Sequence, residues 1–219
     1  MSAETATYRE VIERLPTDST LILRGISWDD YQELLAAVGE APGLRISYDQ
    51  GTMQIMTPSS EHESYVRLIE RLVDRVSSKL RIKVLSFGSA TMKHARWRKG
   101  SEPDACFYVQ SASRIGNRVL LDFTNDPPPD IVVEIDINHD SLSKFPIYAA
   151  LGVSEIWRYD GQALAIYLLE HNQYITSEAS VALPMLTSAV LTEFLSRSRS
   201  EDQYETLLEF ETWLEGRGQ

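Results

Sequence analysis

Asp104, Glu134, Asp136 and Lys144 are residues whose types and spacing in this 219-residue chain could do chemistry. The stretch "PPDIVVEIDINHDSLSK", residues 128–144, closes an apolar run with two carboxylates, Glu134 and Asp136. Strand alternation sets Val132, Glu134 and Asp136 on one face and Ile131, Val133 and Ile135 on the other. Two ionised carboxylates roughly 6 Å apart repel by about 3 kcal/mol at an effective dielectric near 20. That is about two pKa units, so a buried strand needs compensation from a divalent cation, a lysine or a shared proton. Lys144 follows on the next helix, near enough to turn back over the strand's end. Asp104, after Pro103 in "EPDACFYV", shares a face with Cys106 and Tyr108 on a second strand. Three carboxylates and one lysine in convergence suit Mg²⁺ or Mn²⁺ and not zinc.

Plainer readings stand beside this one. Glu134 and Lys144 also suit a buried ion pair. Asp136 also suits a place past the sheet edge, in water. Asp104 also suits a turn, and His62 a satisfied core histidine.

The elements that would position these side chains are read from periodicity and turn residues. Residues 1–25 read as a loose lead-in. "SWDDYQELLAAVGEA" suits a short helix capped by Ser27. "LRISYDQGTMQIMTP" suits a hairpin turning at Gly51. Residues 59–80 form the strongest helix, with Ser59 or Ser60 as cap and Glu61 and Glu63 in its first turn. Val66, Ile69, Leu72, Val73, Val76 and Leu80 share its apolar face, and His62 points the same way. Arg67, Arg71, Arg75 and Lys79 form a stripe on the other side. "KVLSF" and "DACFYV" read as strands, with "ATMKHARWRKG" as a strand or ribbon between them. "PPPDIVVEIDI" reads as a central strand buried on both faces. "SLSKFPIYAALG" reads as a helix that starts near Ser141–Ser143, because of Pro146, and ends at Gly152. A meander turning at Asp160–Gly161 follows, then two helices. The expected fold is α/β: a restriction-endonuclease-like mixed sheet flanked by helices, with an N-terminal helix and hairpin. One domain would cover residues 1–219, with a core at about 44–176 and a helical extension at about 185–216.

Composition sets the outer limits. A hydrophobic share of 43% and a charged share of 24% are ordinary for a globular protein. No apolar run is long enough to cross a membrane, and the N-terminus lacks a basic region followed by an apolar core. Cys106 is the single cysteine, so a disulfide framework is excluded and a cytoplasmic location is expected. The net charge is −11, yet residues 67–99 carry +8 and the remainder −19. A basic patch on an acidic body suits a polyanion, and equally suits a solvated helix face and a charged hairpin.

"ISYDQGTMQIMTPSSEHE", "EPDACFYV" and "PPDIVVEIDINHDSLSKFPIYAALGVSEIWRYDG" resemble the Uma-type restriction endonucleases of bacteria, a domain of unknown function within the PD-(D/E)XK nuclease superfamily. The resemblance covers roughly residues 20–175 and is most specific from Pro129 to Gly161. It implies a core of helix, three strands, helix and strand. It also implies an Asp on one strand, here Asp104, and on the next an acid two residues before a lysine, here Glu134. The chain departs from the pattern at the following position, where Asp136 replaces the lysine. The Uma-type group resembles superfamily members whose lysine has moved to the next helix, which assigns Lys144. His62 stands where the first helix would contribute its residue.

The activity implied is metal-assisted hydrolysis of DNA phosphodiesters. Asp104, Glu134 and the backbone carbonyl of Ile135 would hold Mg²⁺ or Mn²⁺. Lys144 would orient water, and Asp136 would tune Lys144 or take a second metal. Arg67, Arg71, Arg75, Lys93, Arg96, Arg98 and Lys99 become backbone contacts, and a homodimer is expected for cutting two strands. The alternative is a non-catalytic nuclease-fold module that binds nucleic acid or a protein. A small-molecule hydrolase fits less well, because no nucleophile–base pattern stands out.

Overall fold

The computed structural model describes residues 3–39 and 43–216. The element order is α1 (Ala3–Ile12), β1 (Ser19–Arg24), α2 (Trp28–Val38), β2 (Arg45–Asp49), β3 (Thr52–Thr57), α3 (Ser60–Leu80), β4 (Leu85–Ser86), β5 (Met92–His94), β6 (Lys99–Ser101), β7 (Ala105–Tyr108), α4 (Ala112–Ile115), β8 (Ile131–Ile135), α5 (Phe145–Leu151), β9 (Glu155–Tyr159), β10 (Leu164–Glu170), β11 (Gln173–Ser177), α6 (Ser188–Arg197) and α7 (Gln203–Glu215). A 3₁₀ turn, Leu142–Lys144, leads into α5.

The strands form two sheets where the sequence suggests one. The first runs β1-β3-β2-β6-β5 and is antiparallel throughout. The second runs β11-β10-β9-β8-β7-β4, and only the β8–β9 pair is parallel. Residues 1–25 differ from the expected lead-in: α1 and β1 are regular, and β1 pairs along its length with β3. Its short "TLIL" run is too brief to be told from a loop by periodicity alone. The helix expected over "SWDDYQELLAAVGEA" ends at Val38, and Glu40 and Ala41 lie outside the described residues.

Local chemistry explains the main elements. Ser27 and Asp30 close a capping box on α2, and the Ser59 side chain caps α3. Pro146 is tolerated in the first turn of α5, and Gly152 ends that helix with φ of 82°. One face of the second sheet, with Phe107, Val133, Ile135 and Trp157, buries the apolar stripes of α3, α6 and α7. Its other face, with Cys106, Val132 and Ile156, packs on Ile147, Tyr148 and Leu151 of α5. A separate core joins α2 to the first sheet through Tyr31, Leu34, Tyr48 and Ile55. Between the sheets, α5 packs against β5, β6 and β11.

Candidate active site

Asp104 sits where the chain leaves the first sheet and enters the second, between β6 and β7. Its carboxylate is held from three sides. The Ile135 N–H donates to Oδ2 at 2.8 Å, and Arg45 Nε donates to Oδ1 at 3.2 Å. His62 Nε2 stands 3.0 Å from Oδ2, out of line for a hydrogen bond. Burial opposes ionisation of Asp104, but His62, Lys144 and Arg45 outweigh it and hold the carboxyl below its usual range.

Glu134 lies on β8, facing α5. Lys144 Nζ donates to its Oε2 at 2.6 Å, and the Tyr148 hydroxyl donates to its Oε1. Ser101 Oγ, on β6, donates to Tyr148 Oη at 3.0 Å. Burial raises the Glu134 carboxyl above its ordinary value; Asp104 adds to the rise and Lys144 works against it. Burial would depress Lys144, yet Glu134 and Asp104 keep its ammonium above its usual range. The proton therefore stays on Lys144 across the neutral range.

His62 is aimed inward from the first turn of α3. Burial alone would lower its pKa, but the carboxylates of Asp104 and Glu63 lift it to about 9. Arg45 ties this end together, with Nη2 donating to Glu63 Oε1 at 2.9 Å. The side chains of Asp104 and Glu134 are 0% and 1% exposed, so the cluster is closed and Glu63, at 33%, is its most accessible member.

A family model described as "Putative restriction endonuclease", Uma2, matches residues 28–207. The chain belongs to the Uma2 family. Among solved structures, it is similar to a crystal structure of "a putative nuclease belonging to DUF820" from Anabaena variabilis ATCC 29413. The two are 19% identical with a TM-score of 0.54, over 78% of this chain and 99% of that one. At that identity the likeness shows the fold, a mixed α/β architecture flanked by helices. Nothing among curated proteins matches the chain.

In this Uma2 chain Asp104, Glu134, Lys144 and His62 converge at the end of β8. Asp136 does not join them. It is buried and not in water beyond the sheet, because Arg158 of β9 and the Ser141 N–H and hydroxyl occupy one of its oxygens. Its charge reaches Lys144 only as a minor influence. The Ile135 amide serves Asp104, so the backbone at this position already takes part in the cluster.

Among the expected backbone contacts, Arg75 turns instead to Glu211 of α7, beside Lys79, which pairs with Glu211 and Glu215. Arg67 pairs with Glu70 at 2.8 Å, and Lys99 pairs with Asp49. Arg71, Lys93, Arg96 and Arg98 are exposed.

Sequence reasoning missed Arg45, Glu63, Tyr148 and Ser101. Tyr148 had a readable signal: it lies one helical turn after Lys144, so both face Glu134. Arg45 had a weaker one, as a cation on the inward face of a hairpin next to "ISYD".

Proposed function

We propose that the chain is a Mg²⁺- or Mn²⁺-dependent endonuclease that hydrolyses DNA phosphodiester bonds. The observation that carries this reading is the convergence of Asp104, Glu134 and Lys144 around the end of β8. The donor chemistry fits a hard cation, since Mg²⁺ is commonly held by one or two carboxylates together with water and substrate oxygens. Among the described residues, no group of three or more His, Cys, Asp and Glu side chains is arranged to hold an ion. Asp104, Glu134 and the Ile135 carbonyl would be the protein's ligands. A bound ion would polarise the phosphoryl oxygen and lower the pKa of its water.

The chain's own residues do the rest. Arg45 and the Ile135 amide fix the Asp104 carboxylate in one orientation. Tyr148 does the same for Glu134, with Ser101 behind it. Lys144 carries a buried positive charge that would meet charge growing on the phosphate. His62, protonated at neutral pH, balances Asp104 from the α3 side.

Incubation of plasmid DNA with the protein and Mg²⁺ or Mn²⁺ tests the proposal. Nicking is expected for wild type and at least hundredfold less for Glu134→Ala, the order of loss on removing a general catalytic contribution. Equal nicking by both proteins would refute the assignment.

One observation favours a second reading, a non-catalytic module that binds nucleic acid or a protein. Glu134 and Lys144 already neutralise one another in a closed core. That reading predicts no stabilisation by a metal ion.

A further inference from the structure

A recess lies at the far end of the hairpin that carries Ser101. The β5–β6 turn, residues 95–98, stands against the β2–β3 turn, and the Gln50 N–H donates to the Arg98 carbonyl at 3.1 Å. Both residues hold left-handed backbone, with φ of 44° at Gln50 and 47° at Arg98. Lys99 pairs with Asp49 beneath them. The Ile26 N–H donates to the Gly51 carbonyl at 3.1 Å, and the Tyr48 hydroxyl donates to the Ile26 carbonyl at 2.9 Å. The space so framed is about 340 Å³, lined by Ile26, Ser27, Tyr48, Gly51, Trp97 and Arg98.

Trp97 forms the wall of this recess. His94 stacks on one face of the indole, with centroids 4.0 Å apart and planes 24° off parallel. Even so, Trp97 is 40% exposed. A solvated indole costs free energy unless something covers it, and here two exposed cations, Arg96 and Arg98, line the recess with it. Of the nearby acids, Asp49 pairs with Lys99 and Asp30 closes the cap of α2. A flat aromatic face beside cations that form no ion pair among the described residues matches a nucleobase beside its phosphates. Duplex DNA hides its base faces inside the stack, and an unpaired strand offers them.

We infer that the Trp97 recess binds a single-stranded segment of nucleic acid, with Trp97 stacking on a base and Arg96 and Arg98 contacting phosphates. This rests on the nuclease reading and narrows its substrate to DNA with an unpaired stretch. The strand β6 joins the recess to the carboxylates. Trp97 lies in the turn that leads into β6, four residues before Ser101, and Ser101 reaches Glu134 through Tyr148. A strand seated on Trp97 would therefore run toward the cluster.

Binding is measured without cleavage, in EDTA, by fluorescence anisotropy of a labelled oligothymidylate and of a duplex of equal length. Wild type is expected to favour the single strand. Trp97→Ala should lose roughly five- to a hundredfold for the single strand and little for the duplex, with Trp97→Phe retaining most of the affinity. Arg96→Gln should weaken both and reduce the salt dependence by about one counterion. Circular dichroism verifies that each variant is folded. Unchanged single-strand affinity in Trp97→Ala, or equal losses on both ligands, would overturn the inference. So would a shift from dimer to monomer in Trp97→Ala with affinity intact, which would assign the ring to a second copy. The nicking assay stands apart: plasmid cutting without a Trp97 effect leaves the nuclease reading intact, and binding without cutting leaves this one intact.

Discussion

Asp104 and Glu134 are treated differently by their surroundings, and His62 explains part of the difference. Asp104 receives a backbone amide, a guanidinium and an imidazolium, so it is ionised. Glu134 has one ammonium and one phenol, so burial dominates. His62 contributes a testable pH dependence. Its folded pKa, about 9, lies above the ordinary 6.5, so the stability it adds is full below about 6.5 and is lost as pH rises through 9. With metal removed by EDTA, wild type should exceed His62→Gln by at most on the order of 3 kcal/mol at pH 6 in urea unfolding. The gap should narrow above pH 9, and a gap constant from pH 6 to 10 would contradict the assigned pairing. Four of the converging side chains were legible in the sequence from alternation, helical phase and resemblance. Arg45 was not, because its partner Asp104 is 59 residues away and no local pattern encodes that approach. Asp136 misled for the same reason: Arg158, which neutralises it, comes from the neighbouring parallel strand.

At the scale of elements, the helices and hairpins followed from caps and turn residues, whereas the division into two sheets did not. Short strands such as β5 and β6 carry too little periodicity to show which neighbour they choose. Gly100 shows how closely β6 must approach α2. A Cβ there would overlap Tyr31 Oη, with Cζ only 3.0 Å away. Gly100→Ala should therefore destabilise by about 2–3 kcal/mol. Tyr31 Oη is buried with no hydrogen-bond partner among the described residues, so Tyr31→Phe alone should be close to neutral. The double variant should recover part of the loss in chemical denaturation. Strict additivity of the two effects would show that the strain lies elsewhere. The packing of α7 on α3 has a different consequence. It draws Arg75 and Lys79, half of the basic stripe, into ion pairs with Glu211 and Glu215. The sequence showed the stripe but not what faces it.

For the molecule as a whole, the decisive question is whether the closed cluster admits a cation. A ligand that binds only the folded state raises the melting temperature, by about 2.7 kcal/mol of stability at a hundred times Kd. Mn²⁺ should raise the melting temperature of wild type and leave Asp104→Ala unmoved. No shift in wild type would favour the non-catalytic module. The net charge of −11 does not decide the matter, because Lys93, Arg96 and Arg98 stand exposed on one hairpin of an otherwise acidic chain. The parallel pairing of β8 with β9 also bears on how the protein is made. Every member of the cluster, from Arg45 to Tyr148, precedes β9 in the chain. While synthesis has reached only α5, β8 is an unprotected edge strand and Arg158 has not yet arrived to hold Asp136. Emergence of β9 is thus the step that covers the outer edge of β8 and sets Arg158 on Asp136, after every residue of the cluster has been made.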